Sequence, residues 1–126
     1  PGPRRLYQTG VDQLQKGATG AARSVFEDFL KNYPNDELVP DAMSGLADTY
    51  ARENADATAD SVYALIVKHY PKSARAPNAL YKRAVAFAKA GRPSEARKLY
   101  DQLIKDYPRS DEAPLALENK KQLPPP

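Results

Sequence analysis

KNYPNDELVP (residues 31–40) carries two prolines six residues apart. Neither fits a helix interior, because the proline ring removes an amide donor and clashes with the preceding turn. The same break returns in VKHYPKSARAP (67–77) and IKDYPRSDEAP (104–114). Pro34, Pro71 and Pro108 are spaced 37 and 37, and so are Pro40, Pro77 and Pro114, with Pro3 in the same register. A fixed period of this length marks an array of supersecondary units, each unable to bury its apolar face alone.

Sliding the chain by 37 keeps the register without a gap. Leu6, Met43, Leu80 and Leu117 align, as do Ala22, Ala59 and Ala96; Phe26, Tyr63 and Tyr100; Phe29, Ile66 and Leu103; and Tyr33, Tyr70 and Tyr107. Each unit reads as two helices. In the third, Ala96, Leu99, Tyr100, Leu103, Ile104 and Tyr107 form one apolar stripe at helical period. Pro93 and Ser94 stand at its start, where a fixed φ and a capping hydroxyl suit a helix. It stops before Pro108, since the residue preceding proline disfavours helical geometry. The first helix of that unit is predicted to begin at Pro77, to bury Leu80, Ala84, Phe87 and Ala88, and to end at Gly91 in a left-handed cap. Asn54 and Gly17 take the cap position in the other two units. Ala22, Ala59 and Ala96, facing Gly10, Ala47 and Ala84, are small where paired helices must cross. The quoted stretch is therefore the turn between helical pairs. Residues 112–122 (EAPLALENKKQ) begin apolar with Leu115 and Leu117, turn polar, and read as a terminal cap facing water.

The expected fold is all-α: a right-handed α-solenoid of three helical hairpins with a 37-residue period plus a C-terminal capping helix. It reads as a single domain over 1–126, with repeats of about 3–39, 40–76 and 77–113, a capping helix at about 112–122 and a proline tail at 124–126.

Composition excludes several classes of function. The chain has 126 residues, 41% of them apolar, and a net charge of +3 with both signs interspersed. A nucleic-acid binder would cluster its basic residues, and here none run longer than a pair, so nucleic acid is not an expected partner. No apolar stretch approaches the ~20 residues of a membrane span, so direct membrane insertion is not expected. Cysteine is absent, which removes disulfides, thiolate metal sites and a cysteine nucleophile. The one histidine, His69, aligns with Asn32 and Asp106 and reads as a polar residue near a helix end. Asp56 and Asp60 share a helix face but lack a second ligand pair, and Asp111–Glu112 suit a helix start. Gly17-x-x-Gly20 has no strand before it and is no phosphate loop. No catalytic set, metal site or cofactor is expected.

Leu80, Ala84, Phe87, Gly91, Ala96, Tyr100 and Pro108 together resemble the tetratricopeptide repeat, whose usual period is 34. Here three residues are added in the inter-repeat turn; Arg83 and Gln13 depart from the usual leucine and aromatic. The phrase Tyr-Pro-x-Ser-x-x-Ala-Pro, in YPKSARAP (70–77) and YPRSDEAP (107–114) with a looser copy in YPNDELVP (33–40), is more specific. With LYQTGVDQLQKGATGAARSVFEDFLKNYP (6–34), it is similar to the C-terminal repeat domain of the YbgF/CpoB family of Tol-Pal-associated periplasmic proteins. The resemblance implies an exported, non-enzymatic protein-interaction scaffold of the cell envelope. Such a scaffold links Tol-Pal outer-membrane constriction to peptidoglycan synthesis in cell division, and any oligomerisation would run through an N-terminal coiled coil outside this chain. Pro1-Gly2-Pro3 reads as the end of a linker or a cloning remnant. Two alternatives stand beside it: a structural subunit of an outer-membrane assembly complex, similar to BamD, and a generic cytosolic adaptor.

Stacked helical pairs curve, and the first helix of each pair lines the concave face. The positions expected there are Arg4, Tyr7, Val11 and Gln15; Asp41, Ser44, Asp48 and Arg52; and Asn78, Tyr81, Val85 and Lys89. Tyr7 and Tyr81 flank the small Ser44, a groove suited to a peptide or an amphipathic helix, and the resemblance implies a Tol-Pal component as the partner. Tyr7 and Val11 stand where a carboxylate-clamping repeat carries lysine and asparagine, so that mode is not expected.

Overall fold

The computed structural model describes residues 2–126. The described residues form seven α-helices and no strand: α1 (Pro3–Gln15), α2 (Thr19–Asn32), α3 (Val39–Arg52), α4 (Asp56–His69), α5 (Arg75–Lys89), α6 (Pro93–Asp106) and α7 (Glu112–Lys121). This is the all-α series of hairpins followed by one extra helix that the 37-residue register dictates.

Two kinds of turn recur. Within each hairpin the first helix ends in a left-handed residue: Gly17 (φ +80°), Asn54 (φ +61°) and Gly91 (φ +75°). The amide after each closes back on the helix, Ala18 N–H to the Gln13 carbonyl, Ala55 to Tyr50 and Arg92 to Phe87, all at 2.9 Å. This satisfies carbonyls that the helix itself leaves orphaned. Between hairpins, Tyr33 and Tyr107 leave helical geometry at φ near −130° because proline follows.

The polar residue two positions after each tyrosine–proline bond's tyrosine, plus one, then starts the next helix. Asp36 Oδ1 accepts the Leu38 amide (2.9 Å), Ser73 Oγ accepts Arg75 (3.0 Å) and Ser110 Oγ accepts Ala113 (3.2 Å). That side-chain acceptor is the physical content of the Tyr-Pro-x-Ser phrase. It also starts α5 at Arg75, two residues before Pro77, which sits in the first turn. Ser94 does not serve as a capping hydroxyl: α6 opens at Pro93 after Arg92, with no side-chain cap.

The crossing residues are buried as their size requires. Ala22, Ala47, Ala84 and Ala96 are fully buried, Ala59 nearly so, and Gly10 is buried opposite Ala22's helix. The chain divides into two compact units, one ending at Val62 and the other beginning at Tyr63, with α4 straddling the boundary. In the first, α2 packs between α1 and α3, and α3 also touches α1. In the second, α6 packs between α5 and α7, and α7 touches α5. The helix following the last hairpin thus stands to α5 and α6 as α3 stands to α1 and α2.

Candidate partner-binding faces

The first unit holds Tyr7, Val11, Asp48 and Arg52 in accessible or half-buried positions. Tyr7 does not stand as an open wall. Its ring packs at 6.1 Å from Phe26 and 6.5 Å from Phe29, centroid to centroid, leaving only part of it exposed. Ser44 is 3% exposed, so it is a buried residue of α3 and not the floor of a groove. Tyr7 and Tyr81, at the same register, are half-buried. Arg52 reaches back to α1 and donates from Nη1 to the Leu14 carbonyl at 2.9 Å, tying off one of that helix's last carbonyls. Arg4 and Gln15 are exposed on α1 and Asp41 is half-buried on α3.

The second unit holds Asn78, Tyr81, Val85 and Lys89 along α5. Lys89 is exposed and the other three are half-buried. α7 reaches this row at two points. Asn119 Nδ2 donates to the Tyr81 hydroxyl at 3.0 Å and to the Tyr100 hydroxyl at 3.2 Å. Asn78 Nδ2 lies 3.5 Å from Glu112 Oε2, at the long limit of a hydrogen bond, and its buried Oδ1 accepts none among the described residues. Tyr81 and Tyr100 pack at 6.3 Å with a 55° tilt, close to the Tyr7–Phe26 pair at 6.1 Å and 50°. Burial pushes the Tyr100 phenol above its ordinary value, and the hydrogen bond from Asn119 offsets part of that.

Sequence reasoning placed the row on α5 but missed Asn119. It lies in a stretch that reads as solvated, and its register mates are Gly45 and Lys82, which share no chemistry with it. The signal was positional: nineteen residues separate Phe26 from Gly45, Tyr63 from Lys82 and Tyr100 from Asn119.

No group of three or more histidine, aspartate or glutamate residues among the described residues could hold a metal ion, and no described helix is long and apolar enough to cross a membrane. Family models of the tetratricopeptide repeat match residues 7–74 and 78–110. Among solved structures, a tetratricopeptide repeat protein from Parabacteroides merdae ATCC 43184 is similar over 95% of this chain and 44% of its own, with a TM-score of 0.77 and 19% identity. At that identity the likeness concerns the fold alone, and this chain spans less than half of that protein's length. No curated protein matches. The chain belongs to the tetratricopeptide repeat family, whose repeats build scaffolds for protein–protein interaction and are generally not enzymes.

Proposed function

We propose that this scaffold is a YbgF/CpoB-like adaptor of the gram-negative periplasm that links Tol-Pal outer-membrane constriction to peptidoglycan synthesis during division. The observation that carries the reading is the inter-hairpin turn. Asp36, Ser73 and Ser110, 37 residues apart, each accept a backbone amide at the entrance to the following helix after a Tyr-Pro step. The phrase that resembles this family is therefore a built turn, used three times, and not an accident of composition. The partner is a protein segment, docked on the half-buried and exposed rows of the first helices. In the first unit these are Tyr7, Val11, Asp48 and Arg52; in the second, Asn78, Tyr81, Val85 and Lys89.

The alternative of a permanently docked assembly subunit calls for a broad apolar face. Leu115 and Leu117 are 51% and 49% exposed, but two positions on a helix point about 160° apart, so they do not make one face of α7.

Calorimetric titration of the chain with the purified periplasmic domains of the Tol-Pal proteins tests the proposal. Saturable binding is expected, weakened about tenfold by Val85→Glu or Val11→Glu. No heat of binding with any of those domains overturns it.

A further inference from the structure

The partner-facing row of α5 holds groups that the folded unit leaves unanswered. Asn78 Oδ1 is a buried acceptor with no donor among the described residues, and Nδ2 of the same carboxamide meets Glu112 only at 3.5 Å. The Tyr81 hydroxyl accepts from Asn119, which occupies a lone pair, and its own proton goes to no described residue. Lys89, further along the helix, is exposed, and no described carboxylate pairs with it. Val85 between them is half-buried. On α7, Leu115 is the register mate of Asn78; it is 51% exposed and stands between Glu112 and Asn119, the two residues that reach Asn78 and Tyr81.

The same row in the first unit lacks this set. Arg4 and Gln15 stand at the register of Asn78 and Lys89, and the Tyr7 ring packs against Phe26 and Phe29. An acceptor and a donor one turn apart on a helix face complement the N–H and C=O of a single residue. A docked helix spends those groups on itself, whereas an extended chain presents them. The Asn78 carboxamide is half-buried and held by one long bond, so turning its last torsion presents the oxygen. The order also fixes direction: with N–H at Asn78 and C=O at Tyr81, the segment runs in the same sense as α5. Its spacing then matches. Four residues of helix rise about 6 Å, and two residues of extended chain advance about 6.6 Å. Every second side chain of such a segment keeps step with Tyr81, Val85 and Lys89.

Resting on the reading of this row as partner surface, we propose that the second unit binds an extended segment running parallel to α5, with apolar side chains at its first and third positions and a carboxylate at its fifth. The peptide group of the first position sits on Asn78 and Tyr81, and its side chain lies beside Leu115. The third position meets Val85. The fifth meets Lys89, the unpaired cation of the row, and that charge selects an acidic side chain over a neutral or basic one.

The probe is a fluorescein-labelled peptide with both ends blocked, Ser-Leu-Ser-Val-Ser-Glu-Ser, followed by fluorescence anisotropy with the whole chain. Saturable binding is expected, weakened about tenfold by Val85→Glu and about threefold by Lys89→Gln. Val85 is half-buried and Lys89 exposed, so both variants keep the fold, which circular dichroism verifies. The Lys89→Gln loss should vanish for a peptide with glutamine in place of its glutamate, because that pair is already broken. Methylating the leucine amide removes the N–H that Asn78 accepts and should weaken binding about tenfold. Methylating the next serine amide, which faces the other way in an extended chain, should weaken it about twofold. Binding that ignores both Val85→Glu and Lys89→Gln, or no binding of the peptide, overturns the proposal; the Tol-Pal reading then stands or falls on its own titration. Equal losses from the two methylations overturn the extended, parallel course. Peptide binding that obeys these variants supports the site even where no Tol-Pal domain binds.

Discussion

The two units share a scaffold and differ at its centre. In each, an aromatic ring from the second helix is held between the first helix and the helix that follows. In the first unit that ring is Phe26, and it is held by glycines. A Cβ on Gly10 would fall 2.6 Å from Cε1 of Phe26, and one on Gly45 would fall 2.4 Å from Cζ. In the second unit the ring is Tyr100, buried in one cluster with Ala84, and Asn119 hydrogen-bonds its hydroxyl. A phenylalanine needs only to be covered, so bare backbone can close on it. A tyrosine buried to 1% exposure brings a hydroxyl that must find a partner, so a side chain has to stand where the glycine was. Tyr63 shows a third arrangement, with the Lys82 ammonium 5.7 Å from its ring centre. The period fixes where ring and neighbour meet; the pair of residues is chosen together.

The sharpest way to break this comparison is to move one member alone. Gly45→Asn imports the second unit's residue against Phe26. It should cost about 3 kcal/mol by overpacking, read as a lower midpoint in urea denaturation. Adding Phe26→Tyr should recover little, because α3 would still need to retreat from the ring. A cost under about 0.5 kcal/mol, the range of an ordinary surface change, would mean the glycines are incidental.

The reverse experiment tests the polar solution. Asn119→Ala leaves the Tyr100 and Tyr81 hydroxyls without their donor, and should cost about 1.5 kcal/mol after the gain in helix propensity. Tyr100→Phe in the same chain should return part of that loss, since it removes the buried hydroxyl left without its donor while the half-buried Tyr81 hydroxyl stays short of one. Purely additive losses would show that Asn119 acts through something other than the ring.

Much of this was legible in the sequence, and the parts that were not share a cause. Helices, caps and crossing alanines follow from periodicity and single-residue chemistry, so Gly17, Asn54, Gly91 and Ala96 stand where the register puts them. The role of Ser110 was hidden because a serine after Tyr-Pro looks like any loop residue until its hydroxyl meets the Ala113 amide. Ser44 was placed on an accessible face by register with two tyrosines, yet its burial depends on how closely a neighbour approaches, which spacing does not encode. Asn119's bond to Tyr100 and the seat of Pro124 on Arg97 arise from residues 19 and 27 apart, whose pairing is known only once the chain is folded.

A smaller difference separates Arg23 on α2 from Arg97, its register mate on α6. Arg23 is engaged by the Tyr50 ring, the Thr49 hydroxyl and the Glu53 carboxylate, but Glu53 is 47% exposed and water screens the pair. Arg97 Nη2 donates to the Pro124 carbonyl in the tail. Arg23→Ala should therefore cost about 1 kcal/mol, and Arg97→Ala less than half of that. The difference should shrink as salt rises toward 1 M, because the ion pair belongs to the first unit alone. Equal losses would show that the tail carbonyl serves Arg97 as well as the end of α3 serves Arg23.

The smallest effect is in alkaline solution, and it isolates the hydroxyl that distinguishes Tyr100 from Phe26. Burial raises the Tyr100 phenol above its ordinary value, and burial with the Asp106 charge does the same for Tyr107. An unfolded tyrosine loses its proton near pH ~10, whereas these hold theirs longer. The folded chain then binds more protons than the unfolded one, so stability falls as pH rises. The contribution is fully present below about pH 10 and is lost as pH climbs through the folded values. Phe26 has nothing to titrate. Thermal melts between pH 8 and 11 should therefore fall less steeply for Tyr100→Phe than for the native chain, by a few tenths of a kcal/mol at the alkaline end. Asn119→Ala should steepen the fall, because the bond that offsets burial is gone. Coinciding slopes for native chain and Tyr100→Phe would mean that water reaches the hydroxyl, and that the second unit closes over its ring less completely than the glycines of the first close over Phe26.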